Sequence, residues 1–330
     1  MAEPSFDVVG IGNAIVDVLA HADDAFLASE GLTKGAMTLI DAGTAKDIYE
    51  KIGPAVECSG GSAANTVAAL ASLGGKGAFV GKVHDDQLGE VFRHDIRALG
   101  VAFDTPPDDV GPPTATCLIL VTPDAQRTMQ TFLGACVTLG PEDIDEGLIA
   151  ASRVTYLEGY LWDPPLAKQA IVKAAKAAHT AGRMVSLSLS DPFCVDRHRA
   201  EFLDLVNHHV DILFANEREI MSLYRVGSFD ESLQAVRGHC EIAALTRSEK
   251  GSVVVAGDEI HVIDAERVPK VVDTTGAGDA YAAGFLFGVT AGRDVAVSAR
   301  IGSIAAAEVI THLGARPEMS LKALIEKRLG

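Results

Sequence analysis

Short apolar runs broken by glycine recur along the 330-residue chain. Phe6–Ile11 (FDVVGI) stops at Gly12-Asn13 and predicts a buried strand. Residues 14–20 and 36–40 are shorter strand-like stretches. Residues 60–73 are alanine-rich with helical spacing, and Gly74-Gly75 ends that helix. Residues 77–83 return to strand, and residues 90–99 are helical, closed by Gly100. Residues 103–113 are rich in proline and aspartate. The β-rich runs 114–121 and 128–133 follow, separated by Pro-Asp-Ala, which is a hairpin pattern.

From Pro141 onward strands alternate with helices. Strands are predicted at 153–157, 184–189, 212–215, 242–246 and 252–256, with a helix over 165–180 and a hairpin turn at Gly257-Asp258. Two helices, 277–290 and 295–311, finish the chain. Such alternation means an α/β fold whose mainly parallel sheet is covered by helices on both faces. The β-rich segments 13–43 and 100–136 depart from it. They are read as a small β lid inserted into a core of residues 1–12, 44–99 and 137–330.

The chemistry concentrates in Val271 to Gly288, VVDTTGAGDAYAAGFLFG. A short strand ends at Asp273, and an apolar helix opens around Ala277. The N–H groups of Gly276, Ala277 and Gly278 would be unpaired at that helix start, where the helix dipole also favours an anion. Asp279 sits in the first turn beside the anion. It can cap the helix, or it can take the proton of a hydroxyl attacking a phosphoryl group. The loop is not a Walker A loop, because no Lys-Ser/Thr follows the glycines. Gly10-Ile11-Gly12-Asn13 is no dinucleotide fingerprint, lacking the third glycine and an opening helix.

Composition narrows the partners. The formal net charge is −17, which excludes nucleic acid and anionic membranes as main partners. The N-terminus does not read as a signal peptide, and the most apolar stretch, 280–292, is too short and glycine-rich to span a bilayer. Five cysteines without a CxxC pair suggest reduced thiols, and the cytoplasm is the expected location. No cysteine or histidine cluster supports a metal site, and His208-His209 is expected at a helix end.

DTTGAGDAYAAGF resembles the C-terminal signature of the ribokinase-like (PfkB) carbohydrate and nucleoside kinases. Gly60-Gly61-Ser62-Ala63-Ala64-Asn65 resembles their N-terminal signature, and Gly81-Lys82-Val83-His84-Asp85-Asp86 with Gly89 the segment after it. Asn216-Glu217-Arg218-Glu219 resembles the family's NxxE motif, and Thr246 with Gly251 its nucleotide-binding turn. These elements fall in family order over nearly the whole chain. The resemblance implies a ribokinase-like fold and transfer of a phosphoryl group from ATP.

It also implies residue roles. Asp279 would be the catalytic base, with Gly276, Ala277 and Gly278 as the anion hole. Asn216 and Glu219 would organise Mg²⁺ largely through water, and Asn216, Thr246, Gly251, Thr275 and Gly278 would bind ATP. Asn13, Asp17, Gly60, Gly61 and Asn65 would surround the sugar hydroxyls. Arg127 would reach the γ-phosphate from the lid, or stand as a solvated hairpin arginine. Asp85 and Asp86 are read as structural. A K⁺ site held by backbone carbonyls is common in the family.

Several segments resemble the adenosine kinase branch: Asn13 after Gly12 and before Asp17, the lid segment Arg127-Thr128-Met129-Gln130-Thr131-Phe132-Leu133-Gly134-Ala135, and Leu187-Ser188-Leu189-Ser190-Asp191-Pro192-Phe193. Tyr160 after Gly159 falls where that branch stacks an aromatic on the purine, and Met37, Leu39 and Leu133 would add an apolar surface. Tyr160 and Trp162 can equally be core residues, and Met37 replaces a polar purine-reading residue of that branch. The expected acceptor is the 5′-hydroxyl of adenosine. A sugar acceptor (ribose, fructose or a keto-deoxy sugar acid) and a non-catalytic nucleoside-binding protein are the alternatives. The expected assembly is a monomer or homodimer.

Overall fold

The computed structural model describes residues 3–124 and 126–329. Among them the strands are β1 (Phe6–Ile11), β2 (Ile15–His21), β3 (Met37–Leu39), β4 (Ala55–Gly60), β5 (Gly77–Val80), β6 (Ala115–Val121), β7 (Arg127–Phe132), β8 (Ser152–Glu158), β9 (Met184–Ser188), β10 (Ile212–Asn216), β11 (Ile242–Thr246), β12 (Ser252–Ala256) and β13 (Glu259–Ile263). They form two sheets. The larger has the order β13-β12-β11-β10-β9-β8-β1-β5, and the smaller β3-β7-β6-β2-β4.

The larger sheet is parallel from β5 to β11, with β12 and β13 added antiparallel at one edge. Its inner strands are largely buried on both sides, as a sheet covered by helices on both faces requires. Alternate side chains feed two separate cores. Val8, Phe79, Tyr156 and Phe214 pack on one face against the Ser62–Ser72, Ala277–Thr290 and Val295–Val309 helices. Val9, Leu157, Leu187 and Leu213 pack on the other against the Pro165–Thr180 and Pro192–His208 helices.

The smaller sheet is fed by four chain crossings from the larger one. β6 and β7 form the hairpin read from the sequence, and β2 lies parallel to β6. One face of this sheet, carrying Val16, Val18 and Leu118, joins the first core. The opposite face carries Asp17.

The structure corrects the sequence reading in two places. Residues 55–60, assigned to the core segment 44–99, form β4 of the smaller sheet, antiparallel to β2. As an edge strand β4 exposes Ala55 and Val56 and only half-buries Glu57 and Cys58, so it lacks the apolar signature that marks the inner strands. The chain also does not finish at the 295–311 helix, because a further helix, Leu321–Leu329, follows. Leu321 is its one buried residue, so no apolar stripe marked it. His208 ends its helix and His209 caps it, as expected.

The Ala277–Thr290 helix is apolar nearly all round and packs closely on its neighbour. A methyl group added at Gly284 would come within 2.7 Å of the Gly302 Cα and N. Gly284→Ala should therefore lower unfolding stability by about 1–3 kcal/mol, the usual cost of overpacking. Urea midpoints of the two proteins measure it, and an unchanged midpoint would contradict this packing.

Candidate active site

Two helices begin at the same place, each from a glycine. The Ser62–Ser72 helix starts after Gly61 (φ 96°) and the Ala277–Thr290 helix after Gly276 (φ 73°). These backbone angles suit glycine. A side chain would also not fit, since a Cβ at Gly61 would overlap the Asn13 carbonyl and one at Gly276 would lie 2.5 Å from the Ala315 carbonyl. Neither helix has a side-chain cap.

Asp279 stands at the third position of the second helix, yet its carboxylate does not cap it. It turns to the other helix start instead. Ser62 Oγ donates to Asp279 Oδ1 at 2.6 Å, and Asn65 Nδ2 lies 3.4 Å from Oδ2. Burial pushes the Asp279 carboxyl up to about 6, against the hydrogen bonds of Ser62 and Asn65 and the charge of Arg316. Beside it, Gly278 has no atom within 4 Å of where a side chain would begin. Among the described residues, the N–H groups of Gly276 and Gly278 have no protein acceptor. The Ala277 N–H differs from the sequence reading, because it donates to the Thr274 carbonyl at 3.2 Å.

Arg127 reaches this loop from β7. Its Nη1 donates to the Asp273 carboxylate and to the Thr275 hydroxyl. It is therefore not a solvated hairpin residue. Asp273 also accepts from the N–H groups of Thr275 and Gly314. Burial opposes its ionisation, but these bonds and Arg127 outweigh it and hold the carboxyl below the usual range.

On the smaller sheet, cross-strand register puts Asp17 between Cys58 and Cys117, and continues through Thr131 to Leu39. The row two residues away on the same face is Val56, Leu19, Ile119, Met129 and Met37. Met37 and Leu39, on the β3 edge, are 49% and 58% exposed, whereas Cys117 and Ile119 nearer Asp17 are buried, so the apolar rows open toward β3. Gly60 is required here, because a Cβ would overlap the Asp17 carboxylate. Burial raises the Asp17 carboxyl to about 6, opposed by the charges of Arg316 and Arg127.

Leu133 is half-buried at the end of the hairpin. Tyr160 and Trp162 divide. Trp162 is core, its indole N–H donating to Glu201 at 2.6 Å. Tyr160 is 38% exposed, and its hydroxyl donates to the Ser190 carbonyl at 3.3 Å.

Sequence reasoning missed Glu158. It ends β8, is 1% exposed, and accepts from Asn13 Nδ2 at 2.6 Å and from the Ala63 N–H at 2.9 Å. Burial raises its carboxyl to about 7. Gly12 leaves it room, since a Cβ there would overlap its oxygen. The pair lies where β1 meets β8, the point at which strand order reverses, and ligands of open α/β sheets bind at such points. A charged residue closing the apolar strand just before Gly159-Tyr160 was the available signal. Arg316 was missed as well. Its Nε donates to Asn65 Oδ1 at 3.0 Å, and nothing in its local sequence marks it.

Asn216 and Thr246 are register partners at the C-terminal ends of β10 and β11. Gly251 closes the turn after Thr246, and a Cβ there would overlap the Ile263 carbonyl. Asn216 caps the Glu217–Tyr224 helix, accepting from Arg218 and Glu219 N–H groups at 2.9 and 3.0 Å. Glu219 closes a capping box, receiving the Asn216 N–H at 2.8 Å and its carboxamide. Both carboxylate oxygens are engaged and the side chain is buried, so the pair fits a metal only through water. Among the described residues no group of three or more His, Cys, Asp or Glu could hold a metal ion. Magnesium keeps several waters and binds chiefly through substrate phosphates, which agrees with this donor set. No helix among the described residues is long and apolar enough to cross a membrane.

Glu158 makes stability depend on pH. Its folded carboxyl is raised from 4.5 to about 7. The folded state therefore binds the proton more tightly than the unfolded chain, and this contribution is present below about pH 4.5 and lost as pH rises through 7. Glu158→Gln should flatten the fall in melting temperature between pH 5 and 7.5. Parallel curves for the two proteins would refute the assignment.

The pfkB family of carbohydrate kinases matches residues 40–322. The adenosine kinase of Sinorhizobium meliloti has the same fold, with a TM-score of 0.90 and 54% identity over 98% of this chain and 99% of its own. A Rhizobium etli protein described as a probable sugar kinase gives a TM-score of 0.91 at 51% identity, over 98% of each chain. The ATP-dependent ribose-1-phosphate kinase of Halopiger xanaduensis is 35% identical over 238 residues, 70% of this chain and 73% of that protein. The chain belongs to the pfkB family of carbohydrate kinases, phosphotransferases with an alcohol group as acceptor.

Proposed function

We propose that this protein transfers the γ-phosphoryl group of ATP to the 5′-hydroxyl of adenosine, giving AMP and ADP. The observation that carries the reading is the Asp279 carboxylate held between two helix starts, beside the unpaired N–H groups of Gly276 and Gly278. A base and an anion cradle stand side by side, as phosphoryl transfer to a hydroxyl requires.

Asp279 takes the proton of the hydroxyl. The hydroxyl oxygen bonds to the γ-phosphorus as the bond to the β,γ-bridging oxygen breaks, and ADP leaves. The helix start and its N–H groups stabilise the charge on the transferring group. Arg127, docked on Asp273 and Thr275, supplies a guanidinium at the same loop. Mg²⁺ bound with ATP would neutralise phosphate charge, with Asn216 and Glu219 touching its waters. Closure of the smaller sheet would exclude water that otherwise hydrolyses ATP.

A nucleoside acceptor is supported by the apolar rows that run from Asp17 to the exposed Met37 and Leu39, and by Tyr160, which give a planar base a surface. Likeness to the Sinorhizobium meliloti enzyme supports adenosine in particular. Asp17 and Asn65 suit the ribose hydroxyls. The rival is a sugar or sugar-phosphate acceptor, in keeping with the Rhizobium etli and Halopiger xanaduensis proteins. A panel of nucleosides, ribose, fructose and ribose-1-phosphate with ATP, ranked by kcat/KM, decides between them. A sugar ranking above adenosine would overturn the nucleoside assignment.

Asp279→Asn should lower kcat by roughly 10²- to 10⁴-fold, the usual contribution of a general base. Turnover near the wild-type rate would remove Asp279 as the base. The base must be ionised, so kcat should fall on the acid side with a midpoint near pH 6.

A further inference from the structure

We propose that Arg316 is a positioning residue for the reaction. Through Asn65 it aims a carboxamide N–H at Asp279, and it sets a cation against that carboxylate. The inference rests on Asp279 being the base. Residues 314–316 run along the anion-binding loop. Gly314 donates its N–H to Asp273 at 2.9 Å, and Ala315 packs where a side chain at Gly276 would lie. From there Arg316 reaches back to the other helix start, where Nε donates to Asn65 Oδ1 at 3.0 Å.

A carboxamide has one acceptor oxygen and one donor nitrogen. With its oxygen claimed by Arg316, Asn65 presents only Nδ2 to Asp279 Oδ2, at 3.4 Å. The opposite orientation would set the amide oxygen against the carboxylate and its nitrogen against the guanidinium. Arg316 therefore selects the flip that favours the ionised base.

The charge acts in the same direction. The side chain is 17% exposed, Nη1 lies 3.7 Å from Asp95 Oδ2, and neither Nη1 nor Nη2 makes a hydrogen bond. The groups bearing on Asp279 are Asp17 from β2, Tyr156 and Glu158 from β8, Tyr160 from the turn after it, and Arg316. Ser62 and Asn65 from the facing helix are neutral. Of these groups only Arg316 is a cation. Arg127 is committed to Asp273.

The test compares kcat and KM across pH 5.5–9.5 (a range set by the assay) for wild type, Arg316→Met and Arg316→Lys, with ATP and the best acceptor of the panel. In Arg316→Met the acid limb of kcat should move up by about one pH unit, as expected when a neighbouring opposite charge is removed. The loss at pH 6 then exceeds that at pH 9 by roughly fivefold, while the KM for ATP is unchanged. Arg316→Lys, which keeps the charge, should return the limb toward its wild-type position. An unmoved limb, or an equal loss at every pH, overturns the proposal. Should Arg316→Met fail to fold, Arg316→Gln removes the charge while keeping a polar side chain. A raised acid limb in that variant supports the proposal, and an unmoved one overturns it. Asp279→Asn separates the two readings. If it is inactive while Arg316→Met matches wild type, only the role of Arg316 falls. If it is fully active, the base assignment itself falls.

Discussion

The structure turns on the hydrogen bond from Ser62 to Asp279, which joins the first turns of two helices. Two forces act on the carboxylate there. Burial disfavours its charge, while Ser62, Asn65 and Arg316 favour it. The balance near 6 leaves a group that is mostly ionised at neutral pH yet more basic than an exposed aspartate. A base is most effective when its proton affinity approaches the working pH. A fully solvated carboxylate would be too weak a base, and an uncompensated buried one would be protonated.

The same balance recurs around the site. Asp17, Glu158 and Glu219 are all raised by burial. Such a site, in a chain of net charge −17, would repel a polyphosphate if charge alone decided. Attraction must be local. The features that can supply it are the paired helix starts, the unpaired N–H groups of Gly276 and Gly278, and the guanidinium of Arg127. Backbone dipoles add no formal charge, so a helix start can favour an anion without neutralising the carboxylates beside it.

What was legible in the sequence follows from how each feature is encoded. The inner strands of the larger sheet and the Pro165–Thr180 helix could be read, because burial on a regular period writes itself as apolar spacing. The glycine loop could be read because its turn at Gly276 admits little else. β4 could not, because an exposed edge strand needs no apolar pattern. Glu158 and Arg316 could not be assigned either. Their partners lie 145 and 251 residues away, and a lone charged residue carries no sign of a distant partner. The Asn216–Glu219 spacing was visible, but only coordinates show that its atoms are spent on each other.

The crossings between the sheets limit how the site can close. The chain passes between them near residues 13, 61, 113 and 134, and these meet in two pairs. Gly61 lies against the Asn13 carbonyl, and Gly134 against the Pro113 carbonyl, which also accepts the Ala135 N–H at 2.9 Å. Close backbone contacts of this kind cannot slide without breaking, whereas they tolerate small torsional changes. The smaller sheet can therefore turn about a line through the two pairs, but it cannot translate freely over the core. Asn13 is fixed further by Glu158, and Asn65 lies one turn beyond Gly61. Asn13 and Asn65 thus sit at the pivot, where a rotation displaces atoms least. A rotation would displace Met37, farther along the sheet, most, whereas Arg127 is tied to Asp273 and Thr275 of the core loop. In the proposed reaction, such a division would keep the acceptor hydroxyl aligned with Asp279 while the apolar rows close over it.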